Sequence, residues 1–289
     1  MQSFAYVAAR TLNEAAELLS TPGRQANVLA GGTDLIVQLR ENRRRSDLLV
    51  DIKNIPEVNQ LTCNPDQGLT IGAAVSCRRI CSDPAVVSAY PGIVDAVSLI
   101  GGTQIQGRAT VGGNLCNASP AADSIPALIS HQAVCTIYGL QGSRQVAAED
   151  FCTGPGRNVL QRGEFLVSIH IPATSKGFGA NYLRFIPRNE MDIAVAGAGV
   201  SVLLDGGSTF VSARSALSAV APVPLFVPAV GQWLAGRKVD AETIHEAGRI
   251  AMDAAVPIDD MRGTAVQRKR LAAVLTRRAL ENAIQRARN

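Results

Sequence analysis

The sequence predicts an α+β fold, on three observations. Strand-like and helix-like runs alternate up to about residue 55. Later segments, such as QAVCTIYGLQGSRQVAAEDF and DIAVAGAGVSVLLDGGSTFVSARSALSAV, read as β runs joined by glycine turns. From about residue 228 the apolar positions recur at helical spacing. The 289 residues allow one large domain or two to three smaller ones, and 47% hydrophobic residues support a sizeable core. Charged residues, at 18%, and aromatics, at 4%, are scarce, so the chain reads as compact and rich in Ala, Val and Gly.

Residues 11–20, TLNEAAELLS, form a predicted amphipathic helix with Leu12, Ala15, Ala16 and Leu19 on one face. Thr11 is its N-cap, Glu14 follows three residues later, and Pro22-Gly23 ends it. NVLAGG reads as a short buried strand entering a glycine turn. DLIVQLRENRRR is a helix starting at Thr33 or Asp34, with Asp34 as cap or first-turn acid. LLVDIKNI closes a β-α-β-α-β unit by about residue 55.

GLTIGAAVS reads as a strand, and ICSDPAVVSAYPGIVDAVSLIGG as helical pieces broken by Pro91-Gly92. RATVGGNLCNASPAADSIPALISHQ mixes glycines, small polar residues and prolines. QAVCTIYGLQGSRQVAAEDF is a hairpin with Gly142 in its turn, and EFLVSIHIP is a strand stopped by Pro172. The loose TSKGFG places a boundary near 173–178. The expected division is 1–175, with lobes of about 1–55 and 56–175, then 176–289. In the last part NYLRFIPR and DIAVAGAGVSVLLDGG are strands, and Asp205-Gly206-Gly207 turns the meander. PAVGQWLAG, DAETIHEAGRIAMDA and TAVQRKRLAAVLTRRALENAIQRAR are three helices packing on this small antiparallel sheet. The basic face of the last one reads either as solvated or as a partner contact.

Several function classes recede. No apolar stretch reaches the ~18 residues of a membrane span, and the N-terminus lacks a basic-then-apolar leader. A cytoplasmic protein without a transmembrane segment is expected. The six cysteines contain no CxxC pair and read as free thiols, so no metal site is expected. The net charge of +4 is mild and sits largely near the C-terminus, so nucleic acid is not an expected partner.

Two glycine stretches carry the chemistry. Ala30-Gly31-Gly32-Thr33-Asp34 follows a strand and precedes a helix. Gly tolerates positive φ and close backbone approach. Successive amides together with a helix N-terminus make an anion cradle. Thr110-Val111-Gly112-Gly113-Asn114 repeats these ingredients about 80 residues later and continues through Asn117 and Ser119 to Asp123. Asp123 could accept from a ribose diol. A diphosphate gripped from both sides would explain the pair, whereas each stretch alone could be a tight turn or a polar loop. Gly197-Ala198-Gly199 only mimics a dinucleotide fingerprint, because VSVLLDGG continues as a strand and the third glycine is missing. Of the histidines, His170 alternates within a strand and reads as a surface residue. Glu149 and Asp150 read as a solvated cap. No catalytic residue is predicted, so a cofactor would carry the chemistry.

AGGTDL near 30, TVGGNLCNASPAADSIPAL near 110, GPGRNVLQRGEFLVSIHIP near 155 and YLRFIPRNEMDIAVAGAGV near 182 occur in that order. In this the chain strongly resembles the FAD-binding medium subunit of the molybdenum hydroxylase (xanthine dehydrogenase / carbon monoxide dehydrogenase) family, from residue 1 to about 285. The resemblance implies a two-lobed FAD-binding domain of the vanillyl-alcohol-oxidase type, then a C-terminal domain of sheet plus helices. It implies FAD between the lobes, against Leu29, Ala30, Gly31, Gly32, Thr33, Asp34, Leu35 and Ile36 of the first loop and Thr110, Gly112, Gly113 and Asn114 of the second. Asn117 and Asp123 would contact the ribityl–diphosphate and ribose region, and Leu166 would lie against a ring. Gly102 would shape the pocket wall, and Arg184 stands where xanthine dehydrogenases have a lysine near the isoalloxazine. Arg188 and Asp192 match an R…DIA pattern.

The resemblance further implies two partners, a large molybdopterin subunit and a small subunit with [2Fe–2S] clusters, assembled as a dimer of heterotrimers. This chain's FAD would take electrons from the clusters and pass them to NAD, oxygen or a quinone. GGTD replaces the GGHS typical of carbon monoxide dehydrogenases, which leans toward a purine, N-heterocycle or aldehyde substrate. A stand-alone flavin oxidoreductase of the same fold is the alternative.

Overall fold

The computed structural model describes residues 3–188 and 191–289. The chain begins with β1 (Ala5–Ala8), α1 (Leu12–Ser20), β2 (Ala26–Leu29), α2 (Leu35–Arg40) and β3 (Leu48–Asp51). The strands form a parallel sheet in the order β1-β3-β2, with β3 buried along its whole length at the centre. Thr11 caps α1 as expected, accepting from the Glu14 amide. The Glu14 carboxylate reaches back one residue further than the usual capping box, to the Arg10 amide. Asp34 stands at the N-cap position of α2, but its side chain makes no capping bond.

The middle of the chain runs through β4 (Leu61–Asn64), β5 (Gly68–Gly72), α3 (Cys77–Ser82), α4 (Pro84–Ala89), α5 (Pro91–Val97), α6 (Thr103–Gln106), α7 (Val111–Asn117) and α8 (Ser124–Ser130). It continues with β6 (Val134–Gly139), β7 (Gly142–Ala147), α9 (Ala148–Phe151), β8 (Cys152–Gly154), β9 (Arg157–Asn158) and β10 (Phe165–Ile171). An antiparallel sheet, β4-β5-β10-β6-β7, packs on these helices through Leu69, Ile71, Ile137 and Ile169 against Ile93, Leu115, Ile125 and Leu128. Pro91 opens α5, so the expected helix break is a helix start. Gly142 lies just after the two-residue hairpin loop, at φ 99°, as the first residue of β7.

The glycine-rich text after residue 107 forms two short helices, α7 and α8, which periodicity does not reveal. Gly112 and Gly113 each disfavour a helix by about 1 kcal/mol relative to Ala. The Thr110 cap, which accepts from the Gly113 amide, and burial of Val111 and Leu115 outweigh that. Pro126 sits in the first turn of α8, where no intrahelical donor is required.

The rest comprises β11 (Phe178–Phe185), β12 (Ala196–Asp205), β13 (Thr209–Ser218), β14 (Leu225–Phe226), α10 (Pro228–Leu234), α11 (Ala241–Ala254) and α12 (Ala265–Arg288). The strands form an antiparallel sheet in that order, with the helices on one face, packed through Val200, Val202, Leu217, Ala247, Ala279 and Leu280. The two-residue β14 is too short to read from sequence. Gly199, on the other face of β12, lets α8 lie flat on this sheet: a Cβ there would sit 2.6 Å from the Pro126 carbonyl oxygen. A Cβ on Gly179 would overlap the backbone of α12 at Ala283.

Ion pairs tie the two larger sheets' layers together. Glu149, expected as a solvated cap, lies in α9 and pairs with Arg214 of β13 at 2.7 Å, while the Arg214 guanidinium covers the Phe226 ring at 4.0 Å. Asp95 of α5 accepts from Arg286 of α12 and from Asn181 of β11. Beside this seam His131 is 4% exposed. Its Nδ1 lies 2.7 Å from the Ala127 carbonyl oxygen, so that nitrogen carries the proton. Among the described residues its Nε2 has no partner. Burial lowers its pKa to about 4, so the folded chain keeps it neutral. As pH falls from about 6.5 to about 4 the unfolded chain takes up the proton first, and stability drops by about 3 kcal/mol over that window. Urea unfolding at several pH values measures this. His131→Asn, which keeps the donor, is expected to flatten that part of the curve, and an unchanged acid limb would contradict it.

Candidate functional site

The first wall of the site forms where β2 ends. The chain leaves the sheet at Leu29 and turns through Gly31 and Gly32, the latter at φ 80°, a value that favours glycine. Thr33 and Asp34 then lead into α2. Lys53 anchors this turn, donating to the Ala30 carbonyl at 3.1 Å and to Asp51 at 2.7 Å. Among the described residues the amides of Gly31 through Leu35 donate to no internal acceptor. Free donors are expected where a chain enters a helix.

The second wall is the start of α7. Gly113 donates to the Thr110 hydroxyl, while the Val111 and Gly112 amides have no internal acceptor among the described residues. The two glycine stretches meet. A Cβ on Gly31 would overlap the Arg108 carbonyl and come within 3.2 Å of the Ala109 Cα. A Cβ on Gly112 would sit 2.6 Å from the Ala73 oxygen. These two glycines therefore allow backbone to pack on backbone beside a crevice between the loops.

That crevice is a cleft of about 320 Å³. Ala30, Gly31, Gly32, Thr33, Asp34 and Leu35 line one side, and Thr110, Gly112, Gly113, Asn114 and Asn117 the other. Leu166 lines it from β10, with Val28, Ile52 and Phe165 nearby as apolar floor. Asp34 is exposed, yet the surrounding walls desolvate its carboxyl and raise its pKa. Burial pushes the Cys116 thiol up to about 12, so this cleft residue stays a neutral thiol.

Five sequence-predicted residues fall outside this lining. Leu29 packs inward with Leu39 and Leu49. Ile36 is exposed on α2. Gly102 is the N-cap of α6 and faces the Gln104 and Met191 side chains. Asp123 and Arg184 form a buried ion pair of 2.7 Å beyond the cleft. The Tyr182 hydroxyl donates to the other Asp123 oxygen at 2.8 Å, so each oxygen of the carboxylate has one protein donor. Burial raises the Asp123 carboxyl to about 6, against the opposing pull of Arg184 and Tyr182. Arg184 instead borders a second depression, shared with Leu99, Leu183, Ile186, Pro187 and Arg188.

Residues absent from the sequence reading also line the cleft: Asn27, Gln38, Arg44, Asn158 and Arg162. Gln38 was within reach, being one helical turn beyond Asp34 and so on the same face. Arg44, Asn158 and Arg162 reach it from loops and a two-residue strand, where no period exists to reveal them.

Chemically the cleft offers free amides and cationic side chains near one another and an apolar floor below. A diphosphate flanked by flat rings meets both needs, so the residues present fit a dinucleotide such as FAD. A family model described as the FAD binding domain in molybdopterin dehydrogenase matches residues 2–174, and one described as the CO dehydrogenase flavoprotein C-terminal domain matches residues 181–283. The chain is 31% identical over 283 residues to a putative xanthine dehydrogenase FAD-binding subunit of Escherichia coli, covering 98% of this chain and 96% of that one. It is 32% identical over 288 residues to the carbon monoxide dehydrogenase medium chain of Afipia carboxidovorans, covering 99% of both. Among solved structures it resembles a chain of the carbon monoxide dehydrogenase from Hydrogenophaga pseudoflava, with TM-score 0.94, 31% identity and 99% and 98% coverage. A chain of quinoline 2-oxidoreductase from Pseudomonas putida 86 gives TM-score 0.91 at 27% identity, covering 100% and 99%. On fold, cleft and sequence together, this chain belongs to the family of FAD-binding subunits of the molybdenum-containing dehydrogenases, alongside the xanthine and carbon monoxide dehydrogenase subunits.

Proposed function

We propose that this chain is the electron-transfer subunit of a molybdenum hydroxylase, holding FAD in the cleft between the two glycine loops. The convergence of Gly31–Thr33 and Gly112–Asn114 on one crevice, with unpaired amides on both sides, carries this reading. FAD would supply a carrier that exchanges electrons singly with [2Fe–2S] clusters and in pairs with NAD, oxygen or a quinone. The chain's own part is to bind and orient. The free amides would donate hydrogen bonds to the diphosphate and offset its charge with their dipoles. Leu166 and Phe165 exclude water from the apolar end. Arg184, held by Asp123, keeps a positive charge near the second depression.

Partners are a large molybdopterin subunit, which would choose the substrate, and a small iron–sulfur subunit, assembled as a dimer of heterotrimers in the cytoplasm. Among the described residues no helix is long and apolar enough to cross a membrane. We further place a domain division near residue 175, between the end of β10 at Ile171 and the start of β11 at Phe178 in the next sheet. Purification of the native complex tests the reading. About one FAD per chain, with molybdenum and iron co-purifying, is expected. A colourless chain with neither metal would contradict it.

A further inference from the structure

We propose that Gln38 and Ser124 are positioning residues that lock two asparagine amides with their donor ends toward the cleft. The inference rests on the FAD reading above and extends it to two residues outside the glycine loops.

Asn114 and Asn117 are three residues apart on α7, so they share a face, and both line the cleft. An asparagine amide has an acceptor end and a donor end. The Ser124 hydroxyl, 1% exposed at the start of α8, donates to Asn114 Oδ1 at 2.6 Å. Gln38 Nε2, on α2, donates to Asn117 Oδ1 at 3.2 Å. Both acceptor ends are thus engaged within the protein. Among the described residues neither Nδ2 group has an internal acceptor, and neither is a buried orphan. The donor ends are left for a ligand in the cleft.

An unlocked amide would present its oxygen to a phosphate oxygen in part of its rotations, which repels. The locks therefore select for an anion. Gln38 has a second effect, because it joins the helix after the first glycine loop to the helix carrying the second. The sense of its bond is testable. An ionised glutamate at that position can only accept, so it would draw the Asn117 donor to itself and turn the oxygen into the cleft.

The experiment measures FAD dissociation constants by flavin fluorescence quenching on the full chain, together with thermal midpoints of the FAD-free chain. Gln38→Leu and Ser124→Ala are each expected to weaken FAD about tenfold, the double variant about a hundredfold. Gln38→Glu should weaken it further than Gln38→Leu, and Ser124→Thr should restore wild-type affinity. The FAD-free midpoints should stay within about 2 °C of wild type. Affinities of Gln38→Leu and Ser124→Ala within twofold of wild type overturn the inference. So does a parallel fall of their FAD-free midpoints by more than about 5 °C, the mark of a purely structural role. Wild-type chain that takes up no FAD overturns the functional reading and this inference together.

Discussion

Gly31→Ala is expected to yield a folded chain that retains less than about a tenth of the wild-type FAD. The added Cβ has nowhere to go, since the Arg108 carbonyl occupies its position and this neighbour is backbone, not a side chain that can rotate away. Overpacking of this kind costs about 1–3 kcal/mol. Here the strain relaxes by pushing the loops apart, which dismantles the cleft they share. Loss of 1.4 kcal/mol of binding is already tenfold in affinity. The ratio of flavin to protein absorbance reads the outcome, and far-UV circular dichroism checks the fold. Gly107→Ala is the control, because its Cβ would meet nothing within 4 Å and its φ of −67° suits any residue. Full flavin content in Gly31→Ala would show that the loops need not touch.

The second large effect concerns the Asp123–Arg184 pair. Arg184→Met is expected to destabilise the fold by about 3–5 kcal/mol at pH 8, because it strands a carboxylate that is 11% exposed. At pH 5 the loss should be smaller. Burial already holds the Asp123 carboxyl at about 6, above its ordinary value of 3.8. Without Arg184 it rises further, so the variant keeps a neutral acid there when the pH is low. A raised folded-state pKa means the penalty grows as pH increases through that value and is absent below the unfolded one. Urea midpoints at pH 5 and pH 8 measure the difference. An equal loss at both would mean that Asp123 is never charged in the folded chain, or never buried.

Much of this was legible in the residues alone. The unit up to β3, the β10 strand stopped by Pro172, the β11–β13 meander and the three terminal helices all follow from period and punctuation, because each buries one face. The helices α7 and α8 escaped because glycine and proline hide a helix that caps and burial impose. The close backbone approach expected at the glycine stretches is present at Gly31 and Gly112. Their missing side chains make room for the backbone of Arg108 and Ala73. The partners of Asp123, Tyr182 and Arg184, lie about sixty residues away, a pairing no local pattern can disclose. Glu149 was hidden in the same way by Arg214.

In the proposed complex two loops distant in sequence present their amides to one diphosphate. Amide hydrogen exchange across the chain, with and without saturating FAD, tests it most directly. FAD is expected to slow exchange both in Gly31–Leu35 and in Val111–Gly112. Slowing confined to one stretch, or to neither, would contradict it.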